Sequence, residues 1–329
     1  MPPCVRSIAA AAALALVALG AAAAPFERGL LFRLDRAGVP SSYVFGTLHS
    51  ADPRVTALPA PVVSALDGVR TFAPEIQLSE REVADFFDAA QFDDGRRLTD
   101  YVDAATYAAI RAALGGAAPP EATLARMKPW AVLLKLAELP DSAGPGGDTL
   151  DRVLLAEARR RRLAIVGLEL PDEQVAAFDA IPLASQVALV RFVLAERGTL
   201  ARDHDAVVAA WLDRDLARLA ALNAEPGKRT PALAPHLALL TRHLVENRSV
   251  LMAYRLALPL RHGRVFVAVG AMHLYGERGL LALLREQGYR VRRVWRVRCR
   301  RGGRRMMLRR MIRHASECRS VPPRPVRHR

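Results

Sequence analysis

The chain has 329 residues, of which 51% are hydrophobic, so it can bury a full core and is not globally disordered. Its formal net charge of +15 is confined to one end: residues 290–329 hold sixteen Arg against one acid, Glu317, and the rest is formally neutral. A nucleic-acid surface would have to rest on that tail, which carries no nucleic-acid motif, so no specific nucleic-acid partner is expected.

Residues 1–24 read as a cleaved secretory signal. Arg6 lies in a short n-region, Ile8 to Leu19 form the apolar stretch, and Ala22-Ala23-Ala24 precede Pro25. The stretch is too short and alanine-rich for a membrane span. The expected location is therefore periplasmic or secreted. A folded domain is expected over 25–297, followed at 298–329 by a basic tail, read as disordered and suited to weak contact with anionic membrane. Cys299 and Cys318 lie in that tail, and no CxxC pair is present.

Within the domain, Leu31-Phe32-Arg33-Leu34 and Tyr43-Val44-Phe45 predict two strands of a hairpin around Pro40. A helix begins near Leu58-Pro59, and a third strand runs from Val69 to Phe72 and ends near Pro74-Glu75. Residues 80–114 are mostly amphipathic helix. Pro119-Pro120 breaks the pattern, and Met127 to Leu139 is helical again. A Pro/Gly loop spans 140–147. Asp148 is read as the cap of the next helix, and Leu163 to Leu168 as a buried strand ending in Glu169. Helices are expected from Asp172 to Gly198, Arg202 to Leu222 and Leu233 to Leu258. Val265 to Val269 is the most strand-like run, then Gly279 to Gln287 is helical and Tyr289 to Val297 alternates like an edge strand. The fold class is α/β: a central mixed β-sheet flanked by helices, with a helical insertion between about 80 and 260.

One pattern occurs twice. Gly46-Thr47-Leu48-His49 and Gly270-Ala271-Met272-His273 each follow a strand-like run. Glycine at a strand end lets other groups approach closely, and in open α/β sheets ligands bind beyond the carboxyl ends of the strands. Neighbouring parallel strands would bring His49 and His273 to one crevice. Glu75 and Glu169 also follow strand-like runs, where an unpaired carboxylate is costly to bury. Arg248, read alone, is a solvated helix-face residue or a local ion pair. His204, His236, His243 and His262 read as surface residues. HExxH, GxSxG and Walker patterns are absent from the sequence.

Taken together these segments resemble the TraB/GumN family, which includes the Tiki metalloproteases. The resemblance runs from about 29 to 297. It is carried by Phe45 to His49, Glu75, Lys128-Pro129-Trp130, Asp151, and Gly167-Leu168-Glu169 with Glu173-Gln174. The fullest match is Phe266 to Gly276, followed by Gly279-Leu280-Leu281 and Gly288-Tyr289. Two departures stand out: Ser249 follows Arg248 where the family often has Asn, and Pro74 precedes Glu75 in place of an apolar residue.

The resemblance implies a site of two GxxH histidines, an acid and an arginine. It further implies a metal-dependent hydrolase acting on a peptide or other envelope substrate. His49, Glu75 and His273 would be the metal ligands, a donor set suited to Mn²⁺, Co²⁺ or Zn²⁺. Glu169 would be a further ligand or general base, and Arg248 would stabilise an oxyanion or hold a substrate carboxylate. A metal-free version uses His49 as base, oriented by Glu75. The reading from a different class is a non-catalytic envelope protein that binds peptide, polysaccharide or haem.

Overall fold

The computed structural model describes residues 26–77, 79–137 and 148–294. The expected leader, the Pro/Gly loop at 140–147, both tail cysteines and the basic tail lie outside them. Six strands form one mixed sheet: β1 (Leu31–Arg36), β2 (Val39–Thr47), β3 (Thr71–Pro74), β4 (Ala164–Ile165), β5 (Val265–Gly270) and β6 (Arg290–Arg293). Their spatial order is β4-β3-β5-β2-β1-β6. β1 and β2 form the expected antiparallel hairpin, and β6 pairs antiparallel with β1 as the expected edge strand. β2, β5, β3 and β4 are mutually parallel neighbours.

The central strand β5 is buried along nearly its whole length, as a parallel strand covered on both faces should be. Phe266 stacks on Phe72 of β3 at 6.1 Å and meets Phe45 of β2 at 6.3 Å, and Phe45 in turn meets Trp211 edge-on at 6.2 Å. These rings tie three neighbouring strands to the helical layer. The indole Nε1 of Trp211 donates to the Gly46 carbonyl at 3.0 Å, so the first GxxH segment is held from the helix side as well.

Several expected elements differ in detail. Leu163 to Leu168 contributes only the two-residue β4, half exposed at the sheet edge, because Ile165 has a strand neighbour on one side only. Beyond it, an isolated parallel bridge joins Ile76 to Glu169. The mid-chain helix is Leu150–Arg160 with Thr149, not Asp148, at its cap position. The two helices expected from Asp172 to Leu222 are cut differently. They are Pro171–Asp179, Leu183–Leu212 and Leu216–Arg229, and Gly198 does not interrupt the second. A single glycine costs a helix only about 1 kcal/mol, which packing over about 45 Å of length easily overrides.

The helical middle has its own core. Leu98, Ile110, Leu124, Trp130 and Val190 cluster apart from the core around the sheet. The Leu183–Leu212 helix joins both, with Val187, Val190 and Val193 in one core and Val208, Ala210 and Trp211 in the other. The insertion is therefore not wholly separate, since β4 returns to the sheet in its midst. Among the described residues no single helix is long and apolar enough to cross a membrane.

Candidate functional site

The parallel pairing of β2 with β5 places both GxxH segments at the same carboxyl edge. Thr47 lies opposite Gly270, so the two motifs are staggered by one residue. Both glycines are explained by close approach. A Cβ on Gly46 would sit 2.7 Å from Leu274 Cδ1 and 3.1 Å from Ala271 Cα. A Cβ on Gly270 would sit 3.2 Å from the Glu75 carboxylate, which accepts the Gly270 N–H at 2.5 Å.

Four of the five candidate residues meet in one network. Glu75 follows β3, Glu169 follows β4, His273 lies in the tight turn Ala271–Leu274 after β5, and Arg248 comes from the helix Asn247–His262. Arg248 Nε donates to Glu169 at 2.8 Å, and its Nη2 donates to Glu169 at 2.5 Å and to Glu75 at 2.9 Å. Its Nη1 donates to the Leu244 carbonyl at 3.1 Å, so four of its five N–H groups are committed. Gln174 adds a bond to Glu169 at 3.2 Å, and the Glu169 side chain is fully buried. Arg255, two turns beyond Arg248, grips Glu173 at 2.5 Å and the Leu168 carbonyl at 2.9 Å. One helix thus clamps the Leu168–Gln174 segment with two guanidinium groups. Arg248 is not the solvated helix-face residue that its position alone predicts.

His273 is buried, and its tautomer follows from its neighbours. Ser249 Oγ donates its only proton to the Val245 carbonyl at 2.7 Å. It must then accept from His273 Nδ1–H, 2.9 Å away, which leaves Nε2 as a lone-pair acceptor. Burial, reinforced by the nearby Arg248 charge, lowers the pKa of His273 and keeps the ring neutral. Nε2 lies 3.6 Å from Glu75 Oε1. Two acceptors facing each other at that distance favour a cation or a proton donor between them.

His49 stands differently. Its side chain is 84% exposed and approaches Asp151, not Glu75, with 3.4 Å between Nδ1 and Oδ2. Asp151 is held on its other oxygen by Thr47 Oγ1 at 2.7 Å, while its Oδ2 is buried without a hydrogen-bond partner. The Asp151 carboxylate raises the pKa of His49, and Glu75 adds to this through space. His49 therefore shares the field of the cluster without direct contact. Among the described residues no three His, Cys, Asp or Glu side chains converge into a ready metal cage.

The donor chemistry nevertheless suits a divalent ion. His273 offers a fixed, neutral Nε2, Glu75 lies beside it, and Asp151 presents an orphaned oxygen next to His49. Three carboxylates against one guanidinium leave this edge of the sheet with an excess of negative charge.

Asp151, Ser249 and Gln174 were not among the candidates read from the sequence as site residues. Gln174 and Asp151 at least fell in recognisable segments. Ser249 was marked only as a departure from the family pattern, and its contacts to Val245 and His273 follow a π-helical turn at Arg242–Glu246. That turn widens the helix just before Arg248, a distortion frequent at functional sites.

The fold and the edge cluster define an α/β protein with a histidine–carboxylate–arginine site at the ends of parallel strands. A family model describing the TraB/PrgY/gumN family matches residues 30–293, and the chain belongs to that family. No curated protein and no solved structure gives a significant match.

Proposed function

We propose that this chain is a periplasmic or secreted hydrolase of peptide bonds, with a divalent metal held by His273, Glu75 and His49. The observation that carries this reading is the acceptor nitrogen of His273, aimed at the Glu75 carboxylate beside the strand that presents His49. A divalent ion held there would supply a water-derived nucleophile near neutral pH and polarise a scissile carbonyl. Ser249 fixes the His273 tautomer. Arg248, itself anchored by Glu169, holds the Glu75 carboxylate in place, so Arg248 is a positioning residue with one N–H left to offer a substrate. Gly270 lets that carboxylate approach the backbone.

The His49–Asp151 pair favours a metal-free variant of the same reaction. There His49 takes the proton from water, and Asp151, not Glu75, orients the ring. Purified wild type, His49→Ala and His273→Ala decide between them through metal content and cleavage of a broad peptide library with Mn²⁺, Co²⁺ or Zn²⁺ added. The metal version expects bound metal and cleavage in wild type and loss of both in each variant. Cleavage unchanged by EDTA but abolished in His49→Ala supports the metal-free version. Equal metal content and equal activity in all three proteins refute the shared site. Absence of any cleavage, together with visible absorbance, points to the haem-binding alternative.

A further inference from the structure

The helix Asn247–His262 has two working faces. Its inner face buries Met252, Ala253, Leu256 and Leu260 in the sheet core. Its outer face should then be polar, yet Val250, Tyr254 and Leu258 stand there at i, i+4 and i+8, with 42%, 77% and 67% of their surface exposed. Eight large apolar side chains are exposed among the described residues, and these are three of them. Leu170 is a fourth beside the same helix, because its N–H and Arg255 bond one and the same oxygen of Glu173. Solitary exposed apolar side chains need no explanation, but a run along one helix face marks a contact surface.

That stripe runs into a row of unneutralised arginines. Arg261, three residues after Leu258, shares its face, and Arg264 follows the end of the helix. Backbone bonds carry the row across the starts of three parallel strands. Arg70 N–H donates to the Arg264 carbonyl at 2.8 Å, and Ala164 N–H donates to the Arg70 carbonyl at 3.0 Å, with Arg162 two residues before it. All four arginines are exposed, and none has an ion-pair partner among the described residues. Arg162 and Arg264 hold left-handed backbone angles, φ 57° and 56°, which glycine adopts without cost, so each guanidinium stands there against local preference. The acids at this end of the sheet are already engaged: Glu157 pairs with Arg160 and Arg161, and Asp67 with Arg161. On the flank, Glu286 is exposed at the end of the helix Leu280–Glu286, next to Gln287, which bonds the Ala253 carbonyl at 3.3 Å. Four free guanidinium groups thus face one free carboxylate.

We propose that the outer face of the helix Asn247–His262 docks on an anionic lipid bilayer, with Tyr254 and Leu258 in the headgroup layer and Arg261, Arg264, Arg70 and Arg162 against lipid phosphates. A soluble polyanion would leave the apolar stripe in water, and an uncharged apolar surface would leave the arginines without counter-charge. An anionic bilayer meets both, since tyrosine and leucine partition into its interface and basic side chains are drawn to its surface potential. Arg248 and Ser249 leave the same helix on its inner side, so the docked protein holds its histidine–carboxylate cluster roughly 10–12 Å from the lipid, one helix diameter. Docking is read out as binding and does not depend on hydrolysis.

The test is cosedimentation of the full-length protein with vesicles of phosphatidylcholine alone and of phosphatidylcholine with phosphatidylglycerol in equal parts. The basic tail is left intact in every variant, and circular dichroism checks folding. Wild type is expected to bind the mixed vesicles, and added salt to weaken that binding. Arg70→Gln with Arg261→Gln should lower the partition coefficient about 25-fold, about fivefold per arginine near a charged surface. Tyr254→Ser with Leu258→Ser should lower it at least about tenfold. Leu258→Trp should show a blue-shifted emission on the mixed vesicles, quenched by brominated lipid. Absence of wild-type binding overturns the docking face, and so does wild-type binding by both folded double variants, which would assign the contact to the tail. Loss in the arginine variant alone, with dextran sulfate competing, would replace the bilayer by a soluble polyanion. Loss in the serine variant alone, with a wild-type dimer in sedimentation velocity that this variant abolishes, would replace it by a second copy of the chain.

Discussion

Replacing Arg248 with Met should unfold this protein more readily than any other single change in the cluster. The guanidinium carries three charge-assisted bonds to two carboxylates, at 2.8 and 2.5 Å to Glu169 and 2.9 Å to Glu75. Glu169 is fully buried at its side chain and Glu75 is 24% exposed. Removing the shared cation leaves two acids close together with little solvent to disperse their charge. Breaking a buried pair in this way costs about 3–5 kcal/mol, a large part of the roughly 5–15 kcal/mol by which a domain is stable. A chain of this size should lose on the order of 10 °C in Tm. Urea denaturation of wild type, Arg248→Met, Glu169→Gln and the double variant completes a cycle, with an expected coupling of about 2 kcal/mol. Relief by Glu169→Gln in the Arg248→Met background identifies the stranded charge as the cause. A single-variant loss below about 1 kcal/mol, or zero coupling, would show that the network is solvated and that its description as a buried clamp is wrong.

Three further outcomes follow from the same geometry. Ser249→Ala leaves His273 Nδ1 without its partner and should cost about 1–3 kcal/mol in urea denaturation; if a metal is bound, its affinity should fall about 10–100-fold in a metal titration. Gly46→Ala drives a Cβ to within 2.7 Å of Leu274, and overpacking of about 1–3 kcal/mol should appear as a lowered Tm, whereas an unchanged Tm would mean that β2 and the Ala271–Leu274 turn after β5 can separate freely. Glu157, held by Arg160 and then Arg161, has its pKa lowered to about 2 and is only 17% exposed. Because the folded pKa is depressed, its stabilisation is fully present above the ordinary glutamate pKa near 4.3 and disappears as pH falls toward 2. The gap in stability between wild type and Glu157→Gln should be roughly 1–3 kcal/mol at pH 6 and close to zero at pH 2, by denaturation at each pH; a gap independent of pH would assign the loss to packing.

Much of the sheet was legible because strands announce themselves locally. The Val265–Gly270 run is apolar at nearly every position, as a doubly covered parallel strand must be, and the β1–β2 hairpin was foreseen, although its turn lies at Ala37–Gly38 and Pro40 falls inside β2. β4 was overread, because an apolar run does not reveal whether it has neighbours on one side or two. The Leu183–Leu212 helix was cut short at Gly198, because propensity speaks locally while two cores hold that helix at its two ends. The π-helical turn before Arg248 left no mark in composition.

The amino-acid sequence by itself determined which residues belong at the strand ends, since the repeated GxxH pattern and the following carboxylates are local features of single segments. Only the tertiary structure decided how they pair. Strand order made β2 and β5 neighbours, the helix Asn247–His262 delivered Arg248 to Glu75 and Glu169, and the helix Leu150–Arg160 delivered Asp151 to His49. The two histidines, alike in sequence, thereby acquired opposite surroundings: His273 is buried and neutral against Ser249, while His49 is exposed with its pKa raised by Asp151. Long-range contacts set the solvent and charge around each ring, and identical motifs cannot encode that difference locally.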